Sequence, residues 1–180
     1  MSLSTELLEK KVEIAEQWLD QSLRVFVTSG FFKTRKDRIG NPIGFIFTEG
    51  LKEILAVLSE DADLAAVHNP LEKILKVNAV QDFKPSQAVS FVFKIKGIVR
   101  ELIEKSDSGA AAIIELPGFD GKVDQVALMA FDIYMQCRER LHQIRIRELE
   151  TGTHTLTSGV CRPGVSRNNL KVSAETYCST

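Results

Sequence analysis

Residues 85–105 have the most regular hydrophobic pattern in the chain and read PSQAVSFVFKIKGIVRELIEK. At about 100° per residue, their apolar side chains share one arc of a helical wheel: Ala88, Phe91, Val92, Ile95, Ile98, Val99 and Leu102. The pattern predicts an amphipathic helix at the centre of the fold. Phe93 falls almost opposite the arc, beside Arg100, so we expect it to face away from the core and to mark a surface for a partner.

The same helical period recurs through the first 150 residues, between groups of turn-forming residues. Asn41-Pro42 and Asn69-Pro70 each suit the start of a helix, because Asn caps the amino end and Pro fits the first turn. Residues 117–121 read PGFDG and predict a loop. We therefore expect an all-α bundle of about five or six helices, covering about 5–26, 42–58, a stretch starting near 69, 85–105 and 122–150.

The last thirty residues, 151–180, differ from the rest, because sixteen of them are Ser, Thr, Gly, Asn or Pro. Such a composition buries too little apolar surface to offset the entropy of ordering it. We expect a helical domain over 1–150 and a flexible tail over 151–180 that carries His154, Cys161 and Cys178.

Charge and composition exclude several classes of function. The chain has 23 Lys and Arg against 24 Asp and Glu, so no net field attracts nucleic acid. No apolar run reaches the ~18 residues of a membrane span, and the start lacks a secretory signal. Three cysteines without metal-type spacing are typical of a reducing compartment. We expect a cytoplasmic protein.

Residues that could carry chemistry are few, and none lies in a catalytic motif or a glycine-rich phosphate loop. We therefore expect neither an enzyme nor a bound cofactor. The candidates for haem ligation are His142 and His68, although neither has a second ligand at metal-type spacing. Cys137 falls on the apolar arc of the last helix, where a thiol is usually inert. The basic stretch 33–38 is best explained as an exposed loop.

Three stretches together resemble the amino-terminal domain family of RsbRD, a co-antagonist of RsbT in bacterial general-stress signalling. They are residues 37–44 (DRIGNPIG), 74–88 (ILKVNAVQDFKPSQA) and 130–135 (AFDIYM), and the middle one is the most specific. The resemblance spans about Thr5 to Glu150 and leaves the tail outside.

The resemblance implies a helical sensory or regulatory input domain, of the kind fused to a STAS output domain or to histidine-kinase-type modules. Related input domains look like globins without haem and are dimeric. After Glu150 the sequence has only thirty residues, too few for a STAS domain of ~100, so we expect it to act through a separate protein partner. The resemblance supplies no catalytic residues.

We therefore expect a non-enzymatic protein-interaction domain of a stress-response signalling system that forms a homodimer. Its candidate interaction residues are Phe93, Arg100, Leu141 and Ile144. Two alternatives stay open. One is a globin-like carrier of haem or another apolar ligand, with His142 or His68 as the ligating residue. The other is an accessory protein to an anaerobic respiratory complex of sulfur metabolism, which would use Cys137 or the thiols of the tail.

Overall fold

The computed structural model describes residues 2–24, 41–60, 62–81, 83–105 and 109–151. For residues 109–111 it describes the backbone alone. The helices are α1 (Leu3–Glu9), α2 (Lys11–Leu23), α3 (Pro42–Ser59), a short 3₁₀ helix (Leu64–Val67), α4 (His68–Val80), α5 (Pro85–Glu104) and α6 (Gly109–Thr151). These ranges contain no strand, so the prediction of an all-α bundle is confirmed. The predicted basic loop at 33–38 and the predicted tail from residue 152 onward lie outside the described residues.

The first predicted helix is two helices, and the prediction of one continuous element is wrong. The chain leaves helical geometry at Lys10, with φ −102° and ψ 17°, and α2 begins at the next residue. The break is small, since the amide of Ile14 still donates to the carbonyl of Lys10 at 3.0 Å. Leu7 in α1 and Trp18 in α2 are both buried, so the hydrophobic period continues across the break and conceals it.

The start of α3 confirms the predicted Asn-Pro cap. The amide of Gly44 donates to Oδ1 of Asn41 at 2.8 Å, and Pro42 occupies the first turn. A Cβ on Gly44 would lie 2.3 Å from the side-chain nitrogen Nδ2 of Asn41, so the Asn41 side chain can cap the helix in this position only because residue 44 is glycine.

Gly50 of α3 packs directly against α4. A Cβ on Gly50 would lie 2.8 Å from Cδ1 of Ile74 in α4, so a larger residue at position 50 would force the side chain of Ile74 to move. Further along, Glu53 of α3 and Lys73 of α4 form an exposed ion pair at 3.8 Å.

Helix α6 corrects the prediction of a loop at 117–121, because the helix runs without a break from Gly109 to Thr151 and contains Pro117. Proline removes one helical hydrogen bond, but the buried face continues through it. Ala112 and Phe119 are buried on either side, and Leu116 between them packs on the core. Their spacing of 4 and 3 residues continues to Val123, so packing outweighs the local preference for a turn.

The core joins α2, α3 and α5. Trp18 is fully buried, and its Nε1 donates to the carbonyl of Phe91 in α5 at 2.7 Å. The ring of Phe91 meets that of Phe47 in α3 edge to face, with centroids 6.0 Å apart. Together these contacts fix α5 as the central helix, as its sequence pattern predicts.

Lys94 connects the central helix α5 to the end of α2. Its ammonium donates to the carbonyl of Gln21 near the end of α2. Burial lowers the pKa of Lys94, and the nearby charge of Arg24 lowers it further. The long side chain reaches the carboxyl end of α2, where a cation is favoured by the helix dipole.

The chain divides into two units, and the compact helical one comprises Met1–Arg145. The described part of the second unit is residues 146–151 at the end of α6. Within it Ile146 and Leu149 are exposed, and the hydroxyl of Thr151 donates to the carbonyl of Arg147 at 2.7 Å.

Candidate functional site

A large concave surface lies between the start of α5 and the middle of α6, and we call it the α5–α6 groove. Its volume is about 950 Å³, and its apolar wall is formed by Pro85, Val89, Phe93, Ala127, Leu128 and Phe131. Phe93 is 48% exposed, Leu128 69% and Phe131 45%. Large side chains exposed together in one groove are typical of a binding surface.

Two ion pairs fix α5 against α6 beside the groove. The ammonium of Lys96 lies 2.7 Å from the carboxylate of Asp124, and one turn further the guanidinium of Arg100 pairs with Asp120. The same ammonium lies 5.8 Å from the ring centroid of Phe93. A cation over the ring face holds the ring in its outward position, so exposure of Phe93 is built into the helix pair.

One face of α6 carries a row of outward side chains that we call the α6 stripe. It runs at alternating spacings of 4 and 3 residues through Asp124, Leu128, Phe131, Met135, Arg138 and His142. All of these are exposed except Arg138, which is half-buried. The stripe therefore has an acidic end, an apolar middle and a basic end.

Side chains at the basic end of the stripe and next to it contact the last turn of α4 and the segment before α5. Arg138 donates to the carbonyl of Ala79 at 3.2 Å, and the hydroxyl of Tyr134 donates to the carbonyl of Phe83. A shallow groove of about 290 Å³ lies here, lined by Phe83, Lys84, Pro85, Tyr134, Met135, Arg138 and His142. Lys84 borders both grooves, so the basic end of the stripe adjoins the apolar groove.

The sequence model of one family, the RsbT co-antagonist protein rsbRD N-terminal domain, matches residues 12–149. The chain belongs to this family. The matched segment includes both grooves and the whole α6 stripe, and it confirms the resemblance drawn from residues 37–44, 74–88 and 130–135. No curated protein and no solved structure matches the chain.

Of the interaction residues expected in this RsbRD domain, Phe93 alone lines the α5–α6 groove. Arg100 is half-exposed and paired with Asp120, Leu141 packs partly against the core, and Ile144 is exposed. Leu128 and Phe131 were not among the expected residues. The sequence marks them only by the alternating spacing of 4 and 3 residues along the α6 stripe. The buried face of α6 has the same spacing, so the pattern alone does not show which face is exposed.

The haem candidates of the RsbRD domain lie on separate elements. His68 begins α4 and is exposed, whereas His142 lies in α6 and lines the smaller groove. Ligand pockets are usually ~300–1,000 Å³, so a groove of about 290 Å³ is at the lower limit even for a small ligand. Among the described residues, no group of three or more His, Cys, Asp or Glu side chains is placed to hold a metal ion.

Cys137 lies on the buried face of α6, and burial raises the pKa of its thiol, with a further contribution from the charge of Glu72. A thiol in this setting is largely protonated at neutral pH and reacts slowly. The described helices include none with a long enough apolar run to cross a membrane.

Proposed function

We propose that this chain is a non-enzymatic regulatory domain of a bacterial stress-response signalling system, which works in the cytoplasm by binding protein through its α5–α6 groove. The observation that carries the proposal is the exposure of Phe93, Leu128 and Phe131 in one groove. Membership of a family described as an RsbT co-antagonist domain supports the signalling role.

We propose that the protein bound in the α5–α6 groove is a second copy of the chain. Phe131 is the midpoint of the α6 stripe, because Asp124 lies seven residues before it and Arg138 seven residues after it. At 1.5 Å per residue, each charge lies about 10.5 Å along the axis from Phe131. An antiparallel pairing about a two-fold axis at Phe131 therefore brings Asp124 of each copy opposite Arg138 of the other.

The apolar part of the stripe fits the same symmetry. Leu128 lies three residues before the midpoint and Met135 four residues after it, so each faces the other across the axis. Phe131 meets its own copy and, with Leu128, covers the neighbouring Phe93. Such an isologous contact buries the exposed apolar groove and matches opposite charges at both ends.

Light scattering after size-exclusion chromatography tests this dimer. We expect the wild-type chain to form dimers at micromolar concentration, and Leu128→Asp to form monomers, because a carboxylate would be buried in the contact. The matched control is Leu8→Asp, since Leu8 is 46% exposed on α1 and lies outside the groove. A wild-type chain that stays monomeric at high micromolar concentration would contradict the dimer.

The regulatory role is tested in the host strain with a reporter of the general stress response. We expect Leu128→Asp to change the reporter as deletion of the gene does, and Leu8→Asp to behave as wild type. A reporter that ignores both the deletion and Leu128→Asp would contradict the signalling role, whatever the oligomeric state.

A further inference from the structure

A second groove lies between α2 and α3, and it shares no lining residue with the α5–α6 groove. Its volume is about 530 Å³, which is in the range of sites for small molecules. We call it the α2–α3 groove; its lining is Lys11, Val12, Ala15, Glu16 and Leu19 of α2, and Thr48, Lys52, Glu53 and Ala56 of α3.

The smallest side chains on the two walls are Ala15 of α2 and Ala56 of α3. Each provides only a methyl group, so a larger side chain at either position would reduce the space between the helices. Val12 is 75% exposed at one end, and Leu19 is nearly buried at the other. From Lys11 to Leu19 the helix rises about 12 Å, so the groove is a slot of about that length.

The charges at the rim are unequally matched. Lys52 pairs with Glu49 at 3.2 Å, and Glu53 pairs with Lys73 at 3.8 Å, so these two groups are already neutralised. Glu16, which also lines the groove, makes an interaction as well. Lys11 is partly buried at the end of the slot and makes no hydrogen bond or ion pair in the part of the chain that the structure describes. The slot therefore offers an apolar wall with one available positive charge at its end.

We propose that the α2–α3 groove binds a small linear carboxylic acid, with its carboxylate on the ammonium of Lys11 and its apolar chain along Ala15, Ala56 and Leu19. A carboxylate neutralises the available charge, and the 12 Å slot accommodates a chain of about octanoate length. This inference rests on the proposed function and extends it. In a regulatory domain that binds a linear carboxylic acid, the acid is the signal that the domain senses.

Titration of the whole chain with octanoate, followed by two-dimensional amide NMR, tests the site. Octanol and octylamine are the matched probes, since they keep the chain length and replace the acid by a neutral or a positive group. We expect saturable octanoate binding with shifts centred on α2 and α3, weaker binding of octanol, and the weakest binding of octylamine. The assay reads ligand binding alone, so its failure leaves the dimer and reporter tests standing.

Two variants separate the charge from the slot. Lys11→Gln should weaken octanoate about tenfold, as expected for one charge-assisted hydrogen bond, and leave octanol unchanged. Ala56→Leu should fill the slot and remove binding of both probes. Lys10→Gln and Ala66→Leu are the controls, because neither residue lines the groove.

Octanoate binding that is not saturable, or that Lys11→Gln leaves unchanged, would overturn the proposal. Shifts centred on the α5–α6 groove would overturn it too, since they would show that the larger apolar groove is the acceptor. If Ala56→Leu does not fold, the Lys11→Gln titration decides alone.

Discussion

Replacement of Trp18 by phenylalanine tests the central contact of the fold. Trp18 is the only tryptophan of the chain and is fully buried. Its Nε1 donates to the carbonyl of Phe91 at 2.7 Å and so connects α2 to the central helix α5. Trp18→Phe keeps an aromatic ring in the core but removes this donor and part of the buried surface.

The expected cost has two parts. Loss of the hydrogen bond costs about 1 kcal/mol. Phenylalanine also buries roughly 40 Å² less apolar surface than tryptophan, which at about 25 cal/mol per Å² costs about another 1 kcal/mol. The free energy of unfolding should therefore fall by about 2 kcal/mol, which for a urea m-value of about 2 kcal/mol/M lowers the midpoint by about 1 M.

Urea unfolding followed by circular dichroism measures this change, because the variant has no tryptophan fluorescence. The control is Val80→Ala, since Val80 is 68% exposed and its truncation should change the free energy of unfolding by less than about 0.5 kcal/mol. A Trp18→Phe variant that unfolds at the wild-type midpoint would refute the assignment of Trp18 to a tightly packed, hydrogen-bonded core.

Three further predictions concern the cap, an ion pair and the thiol. Asn41→Ala should lower the free energy of unfolding by about 1 kcal/mol, while Asn69→Ala, at an exposed position, should change it little in the same urea assay. The hydrogen bond from Lys76 lowers the pKa of Glu72 below its ordinary 4.5. The unfolded state therefore binds more protons, and the free energy of unfolding decreases as the pH drops below 4.5. In Glu72→Gln this decrease should be smaller, and an identical decrease in wild type and variant would contradict the pairing. Burial raises the pKa of Cys137 above 9.0, so with the two tail cysteines replaced by serine we expect slow labelling by a thiol reagent at pH 8 and fast labelling in urea.

Most of the fold follows from hydrophobic period and helix-start chemistry. The cap at Asn41, the start of α5 at Pro85 and the buried arc of α5 are local signals, and the structure has each where the sequence predicts it. The break at Lys10 and the continuity of α6 through Pro117 do not follow from the sequence, because helix-start and turn preferences consider only neighbouring residues. At Pro117 the buried neighbours Ala112 and Phe119 outweigh the lost hydrogen bond, and that balance depends on packing against other helices.

The candidate site was predictable only in part. The helical wheel of α5 alone predicts that Phe93 is exposed. The other large side chains of the groove come from α6, and two ion pairs connect the helices, Lys96 with Asp124 and Arg100 with Asp120. A single sequence does not reveal which charges of two helices meet. The same holds for the α2–α3 groove, because two alanines open a slot only once their helices lie side by side.

The measurement that tests the account most directly is a charge exchange across the proposed two-fold axis, with the oligomeric state measured by light scattering. Asp124→Arg and Arg138→Asp should each weaken the dimer, because each places like charges opposite one another. Asp124→Arg also breaks the pair with Lys96 within each copy, so unfolding in urea is measured for every variant to separate a change in folding from a change in dimerisation. The double variant restores opposite charges across the axis, so we expect it to dimerise more tightly than either single variant. Weakening in the double variant equal to the sum of the two single effects would contradict the antiparallel pairing of α6 that the proposed function requires.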